Sequence, residues 1–541
     1  MARQDSQHGP EYGSGDETVR LPVALPEQTQ TIRLPSFFPP PAPPRSAEPP
    51  QAEPPTREPR KGRRGLVVTL VMVVLLGGFG AGAVIVRPGP VADWLGEPGA
   101  DPTSAAAPQT PEPSPAPVLA AATGDAPAPT AAGVQAVLDP IVASAGLGSQ
   151  TNLSVVDVTS AGQLYSRGPD VPTVPASTTK LVTATAVLAA RGPAYRIPTR
   201  VVAGANPGEV VIIGGGDPTL AINGTGTYPG AARLDQLAKQ VKQALGEAKP
   251  TKVIVDSSLF TGPVYEPSWD ADVPTGGFGG PTIALMTNGA RINPKATRGY
   301  AERYTQPDVA AGRAFAKLLG LPQSAVTKGK APADAVEATT TPSSAPLTAG
   351  TELGKVESPP ILRLVEFMLG ESDNVVAELL ARQVALAKGQ PASYAGAAAA
   401  TNAVLGELGL PAAESALSDG SGLSRKNRLT PTLLTDLLAL AAGGSHPELA
   451  GVVAGLPVAA WSGTLRDRFR SPAVDNRPGA GVVRAKTGTL NGVNAIAGVV
   501  VTADGRLLAF AVLADKVPLG KEKAETALDK IPTALAKCGC L

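Results

Sequence analysis

Pro175-Ala176-Ser177-Thr178-Thr179-Lys180 opens a stretch, Pro175 to Arg191, that reads as a helix, with Leu181, Ala184, Val187 and Leu188 at helical spacing. Ser177 stands at its start and Lys180 three residues on, so the hydroxyl and the amine face the same side. A serine hydroxyl is a weak nucleophile until a nearby base takes its proton. A lysine serves as that base only when burial or neighbouring positive charge lowers its pKa toward neutrality. A helix start also turns backbone N–H groups toward an incoming anion. Taken alone, the pair reads more simply as a serine N-cap beside a solvated lysine.

Two stretches further along change that reading. Ser372-Asp373-Asn374 follows an apolar helix and opens another, and Lys486-Thr487-Gly488-Thr489 ends a strand-like run, Val482 to Ala485. Each triplet occurs once, in this order after the single Ser-x-x-Lys. Ser372 and Asn374 suit hydrogen bonds to the lysine and to a substrate amide. Lys486 adds a second positive charge, which depresses the Lys180 pKa and attracts a carboxylate. Thr487 and Thr489 offer hydroxyls to that carboxylate. Gly488 lets a substrate backbone approach the strand edge. The backbone amides of Ser177 and Thr489 are the candidates for an oxyanion hole.

Composition removes the usual rivals. Of the two histidines, His8 lies in a polar tail and His446 in a Gly-Gly-Ser-His-Pro stretch, so a Ser-His-Asp triad would rest on His446 alone. Cys538 and Cys540 are the only cysteines, so a zinc site, which needs about four ligands, has no ligand set, and no metal or other cofactor is expected. The two cysteines read as a tail pair, a local disulfide or a link to a partner. A net charge of +1 and few aromatics argue against a nucleic-acid partner.

The 541 residues are unevenly built. Of the 56 prolines, 14 fall in residues 1–60 and 11 in 88–130, which marks two segments with little to bury. Residues 1–64 read as a disordered Pro-rich tail, solvated or docking a proline-binding partner. Gly65 to Val86 is an uncharged apolar run of 22 residues, long enough for one transmembrane helix. Arg57, Arg60, Lys61, Arg63 and Arg64 flank it on one side and only Arg87 on the other. That asymmetry puts the N-terminus in the cytoplasm, with a single pass through the cell membrane and everything later outside it. Residues 87–131 read as a Pro/Ala-rich linker. Beyond it, strands are expected at Asn152–Val158, Val210–Ile213 and Lys252–Val255. Helices are expected over 361–387, 397–408, 430–442 and 521–536. Leu234, Leu237, Val241 and Leu245 mark a further helical face. A hairpin runs from Val493 through Asp504-Gly505 to Leu513. Helices packed on an antiparallel sheet, an α+β fold, fit this pattern.

The three motifs in this order are the signature of serine β-lactamases and penicillin-binding proteins. About 195 residues separate Ser177 from Ser372, a long insertion that resembles the D-alanyl-D-alanine carboxypeptidase/endopeptidase family of low-molecular-mass penicillin-binding proteins. Gly214-Gly215-Gly216-Asp217-Pro218-Thr219-Leu220, Asp256-Ser257-Ser258-Leu259-Phe260 and Asp419-Gly420-Ser421-Gly422-Leu423-Ser424 resemble further blocks of that family. The tail, span and spacer are more typical of a membrane-anchored actinobacterial envelope protein. The resemblance implies a transpeptidase-like domain at 132–200 and 355–541, with an inserted α/β region at 201–354. It implies a Ser177 acyl-enzyme on peptidoglycan stem peptides, release of terminal D-alanine, and β-lactams as covalent inhibitors. The family also cuts D-alanyl–diaminopimelate cross-links, and Asp270 or Asp272 is placed to meet the diaminopimelate amine, unless these are plain surface carboxylates. The loop Asp419 to Ser424 reads as a buttress of the site. A serine β-lactamase and a non-catalytic envelope scaffold are the alternatives.

Overall fold

The computed structural model describes residues 126–143, 145–296, 301–333, 348–470, 477–518 and 521–540. The expected tail, membrane span and nearly all of the linker lie outside those residues. Among the described residues no single helix is long and apolar enough to cross a membrane.

Along the chain run α1 (Ala131–Val142), β1 (Thr151–Asp157), β2 (Gln163–Arg167), α2 (Thr179–Arg191), β3 (Pro198–Ala203) and β4 (Glu209–Ile213). There follow α3 (Leu234–Leu245), β5 (Lys252–Asp256), α4 (Pro307–Leu319), β6 (Val326–Lys328), β7 (Glu352–Glu357), α5 (Ile361–Glu371), α6 (Asn374–Ala387) and α7 (Tyr394–Glu407). The chain closes with α8 (Pro431–Ala442), α9 (Ala450–Ala454), β8 (Val483–Leu490), β9 (Val493–Val501), β10 (Leu507–Ala514) and α10 (Lys521–Lys537).

The first sheet has the order β2-β1-β10-β9-β8 and is antiparallel throughout. Its two faces divide the residues of β9 and β10 by alternation. Ala495, Ala497, Val499, Ala509, Ala511 and Leu513 pack into a core with α2, α5, α6, α7 and α8. Ile496, Val500, Leu508, Phe510 and Val512 turn to the opposite core with α1 and α10. Small residues dominate the first set, so helix α8 lies close against the sheet at β1 and β10. Leu181, Val182, Val187 and Leu188 of α2 have no exposed surface, each burial contributing about 1.5–3 kcal/mol. Cys538 and Cys540 pair with each other, and the Cys540 carbonyl accepts from the Thr130 amide at 2.7 Å, tying the end of the domain to its beginning.

The second sheet, β6-β5-β4-β3-β7, is formed by residues 198–357. β4, β5 and β6 run parallel, with α3 and α4 as the crossovers that parallel pairing requires. β3 and β7 close the other side antiparallel.

Three local expectations give way to finer structure. The helix expected from Pro175 is a 3-10 turn, Ala176–Thr178, followed by α2. Ala176 is forced to φ 46° there, so the turn carrying Ser177 is strained backbone. The helix expected over 361–387 is two helices. Its spacing is sound in α5, where Ile361, Leu364, Val365, Met368 and Leu369 are buried. Ser372 then adopts the left-handed conformation (φ 57°), and the Asp373 carboxylate caps α6 by accepting from the amides of Val375 and Val376. Finally, the strand expected at Val482–Ala485 continues as β8 through the whole Lys-Thr-Gly-Thr motif.

Candidate active site

Burial decides the state of both lysines. Lys180 and Lys486 have no exposed surface, while Ser177 is partly exposed on the turn above them. The Lys180 amine reaches three oxygens: Ser177 Oγ at 2.9 Å, Asn374 Oδ1 at 2.5 Å and the Ser421 carbonyl at 2.6 Å. Burial lowers its pKa to about 8, against the opposing pull of Asp419, Glu378 and Asp373. A neutral amine has two N–H bonds and one lone pair. The two carbonyl-type oxygens, which only accept, take both N–H bonds, so the lone pair faces the Ser177 hydroxyl.

The second and third motifs meet at the next oxygen. Lys486 Nζ donates to Ser372 Oγ at 2.9 Å and to the Thr487 carbonyl at 2.8 Å. Burial and the nearby Lys180 push its pKa well below the ordinary lysine value. The left-handed backbone of Ser372, uncommon for a residue with a side chain, turns its hydroxyl to this lysine.

Two glycines are dictated by close approach to the serine turn. A Cβ on Gly422 (φ 85°) would lie 1.8 Å from the Ala176 carbonyl oxygen. One on Gly488 would lie 2.7 Å from the Pro175 carbonyl oxygen and 3.1 Å from the Ser177 amide. Gly488 is therefore required by the enzyme's own backbone, a constraint additional to the expected substrate approach. It also sets β8, an edge strand, against the Ser177 amide, so the Thr489 amide is next along the same corner.

Ser177, Asn374 and Thr489 line a cavity of about 420 Å³ together with Asp270, Asp272 and Phe278. Lys180 touches two of these lining residues, Ser177 and Asn374, and Thr487 turns its hydroxyl to Thr464 Oγ1 at 2.9 Å. Asp270 accepts from Arg425 Nε at 2.9 Å, whereas Asp272 is exposed. A larger cavity, about 590 Å³, is lined by Arg196, Tyr228, Arg363 and Phe367 and holds none of the three motifs' residues; those gather at the smaller one.

Other participants carry no motif signal. The Phe278 carbonyl accepts from Asn374 Nδ2 at 2.8 Å, which fixes the amide so that its oxygen faces Lys180. Asp373 is clasped by Arg291 at 2.6 Å and by the Tyr228 hydroxyl at 3.1 Å. Burial alone would raise the Asp373 pKa; Arg291 and Arg303 hold it well below the usual carboxylate range. Asp419 organises its loop by accepting from the amides of Gly422 and Ser424 and from Trp269 Nε1, each at 2.7 Å. The loop is thus the buttress its sequence suggested, and through the Ser421 carbonyl it also touches the lysine.

Comparison with known proteins gives a consistent picture. The sequence matches the family described as "D-Ala-D-Ala carboxypeptidase 3 (S13) family" over residues 134–337 and 303–538. Carboxypeptidase Rv3627c of Mycobacterium tuberculosis is 40% identical over 419 residues, 76% of this chain and 85% of the relative. The crystal structure of penicillin binding protein 4 (dacB) from Haemophilus influenzae is similar with a TM-score of 0.57 at 21% identity, over 74% of this chain and 97% of that one. The same protein complexed with a novel β-lactam gives a TM-score of 0.53 at 20% identity, over 73% and 97%. At those identities the structural likeness speaks for the fold alone.

Proposed function

The chain belongs to the D-Ala-D-Ala carboxypeptidase 3 (S13) family and is a penicillin-binding serine carboxypeptidase, and we propose that Ser177 is its nucleophile and Lys180 the base that activates it. The observation that carries the assignment is the buried amine 2.9 Å from Ser177 Oγ, with its other two directions taken by Asn374 and Ser421. In this reading Ser177 Oγ attacks the carbonyl carbon of the penultimate D-alanine as its proton passes to the Lys180 lone pair. Negative charge develops on the carbonyl oxygen, facing the amides of Ser177 and Thr489. Collapse breaks the peptide bond, and the leaving nitrogen takes a proton from the Lys180 ammonium through the Ser372 hydroxyl. Terminal D-alanine departs, and water hydrolyses the ester by the reverse proton movements. A β-lactam enters at the first step and is held as the acyl-enzyme. Thr489 supplies a hydroxyl for the terminal carboxylate, and the buried Lys486 holds Ser372 in place.

The substrate is a peptidoglycan stem peptide, and cross-links ending in diaminopimelate are a second substrate. Support comes from the carboxylate of Asp272, which lines the same cavity as Ser177 while Asp270 is engaged by Arg425. Asp272→Asn is expected to raise KM for a peptide bearing the free side-chain amine and to leave benzylpenicillin acylation unchanged; equal effects on both would remove Asp272 from recognition. Residues 201–354 form an inserted α/β domain that shares in substrate choice. Residues 65–86 anchor the chain in the cell membrane with the catalytic domain outside, and the Pro-rich tail offers a cytoplasmic partner its docking stretch. That topology is supported by the apolar run and its one-sided positive charge. Protease added to intact cells should cut the catalytic domain and spare residues 1–64; protection of the catalytic domain would reverse the topology.

The decisive experiment labels the full chain with a fluorescent penicillin and compares Ser177→Ala. Slow stoichiometric labelling of the wild type and none of the variant is expected. Equal labelling of both would sink the nucleophile, and rapid turnover of the penicillin would favour a β-lactamase.

A further inference from the structure

We propose that Glu378, a carboxylate sealed beneath the serine turn, is a positioning residue for acylation that governs both where Lys180 holds its amine and how firmly that amine holds a proton. The inference rests on the reading of Lys180 as the base.

The geometry is a short relay. α6 presents Asn374 and Glu378 one helical turn apart on the same side. Asn374 touches Lys180 directly. Glu378 reaches it through one residue, Ser421: its Oε1 accepts from the Ser421 amide at 2.8 Å and its Oε2 from the Gly420 amide at 3.2 Å. The Ser421 carbonyl in turn accepts from Lys180 at 2.6 Å. The neighbouring Gly420 carbonyl accepts from Thr183 Oγ1 at 2.7 Å, one turn beyond Lys180 on α2. The loop is clamped between α2 and α6, because a Cβ on Gly420 would meet Ala381 Cβ at 2.6 Å.

Two amides alone would not need a charge; a neutral side-chain oxygen caps them as well. The surroundings argue that the charge matters. Glu378 is 1% exposed. It is faced by Asp419 from the loop, by Lys180 from α2, by Tyr394 from α7 and by Arg382 from its own helix. Arg382 stands 3.8 Å away with its guanidinium 3.8 Å over the Tyr394 ring, so it offsets the burial only in part. Burial first, then Asp419, pushes the Glu378 carboxyl up to about 7, close to the value of about 8 for Lys180. The two groups therefore titrate over neighbouring pH ranges and are coupled. When Lys180 takes the Ser177 proton, an ammonium appears in a dry site, and an ionised Glu378 favours it. When Glu378 is neutral, Lys180 is a weaker base and is charged over a narrower range.

The test measures the pH profile of acylation by benzylpenicillin for the full chain, with Glu378→Gln and Glu378→Asp. Glu378→Gln keeps the size and removes the charge. Its acidic limb, which reports loss of the Lys180 proton, is expected to move to lower pH by on the order of one unit, with a lower plateau. Glu378→Asp keeps the charge and withdraws from the two amides. It is expected to hold the limb near the wild-type position while the plateau falls several-fold. A Glu378→Gln limb that coincides with wild type overturns the proposal whatever happens to the rate. Should the glutamine variant fail to fold, an aspartate variant with the wild-type plateau overturns it instead. A wild-type profile with no acidic limb would overturn the Lys180 assignment itself, which separates the two failures.

Discussion

Replacing Arg291 by methionine tests how the second motif is held. Arg291 and Asp373 have side chains only 4% and 2% exposed, with Nη2 and Oδ2 2.6 Å apart. Removing one partner of a buried pair strands the other charge, which costs about 3–5 kcal/mol. Asp373 keeps three hydrogen bonds, from Tyr228 and from the amides of Val375 and Val376 at 3.1, 2.9 and 3.0 Å. The loss should thus sit near the low end, about 3 kcal/mol. If half of that is felt as misplacement of Asn374 at the helix start, about 1.5 kcal/mol, acylation slows roughly tenfold. The assay is urea unfolding of the full chain together with benzylpenicillin acylation, for Arg291→Met, Asp373→Asn and the double variant. Asparagine still caps the helix, so the double variant removes both charges and leaves the cap. It should be more stable than the sum of the single losses predicts, by about 2 kcal/mol or more. A single-variant loss below about 1 kcal/mol, or a coupling within about 0.5 kcal/mol of zero, would refute the idea that this pair holds the motif.

Acylation should rise with pH through about 8 and then level, because burial lowers Lys180 and only its neutral amine can take the Ser177 proton; a rate flat from mildly acidic to alkaline pH contradicts this. Gly488→Ala places a Cβ 2.7 Å from the Pro175 carbonyl oxygen, overpacking worth about 1–3 kcal/mol. Acylation should fall at least about tenfold and the stability to unfolding by that same amount, about 1–3 kcal/mol, and an unchanged rate would show that the serine turn gives way freely.

The site was legible where chemistry demands particular residue types at short spacing. Ser177 with Lys180, Ser372 with Asn374, and Lys486 with Gly488 are each local in sequence, and the local backbone puts each pair to use. The fold was legible where periodicity is clean, as in α3, α5 and the β9–β10 hairpin. It failed where a functional demand overrides propensity. The motif Ser372-Asp373-Asn374 marked the junction of two helices, but nothing in the sequence announces the left-handed backbone that Ser372 takes there to aim its hydroxyl at Lys486. The edge strand β2 and the strand β7 were missed because each mixes exposed, half-buried and buried positions without a regular alternation, and β3 because its alternation gives way to a run of three buried residues. Arg291, Tyr228 and Phe278 were invisible for a different reason. Each acts across at least 80 residues of sequence, and one of them acts through its carbonyl, which no side chain advertises.

One helix explains why such distant residues bear on a lysine they never touch. α6 offers three polar groups from its first two turns. Asp373, its cap, is gripped by Arg291 and Tyr228. Asn374 joins the Phe278 carbonyl on one side to the Lys180 amine on the other. Glu378 grips the loop whose Ser421 carbonyl is another acceptor of that amine. Two of the three contacts to Lys180 thus pass through α6, one directly and one through the loop, and only the Ser177 contact is local. The Lys180 amine is consequently held by residues between 228 and 421 more than by the helix that carries it. A shift of the segment around Phe278, which also lines the cavity beside Ser177, would reach the amine through a single side chain, Asn374. A substrate filling that cavity would meet the segment that orients Asn374, so with Lys180 as the proposed base, the side chain a substrate carries should bear on the rate of acylation as well as on its affinity.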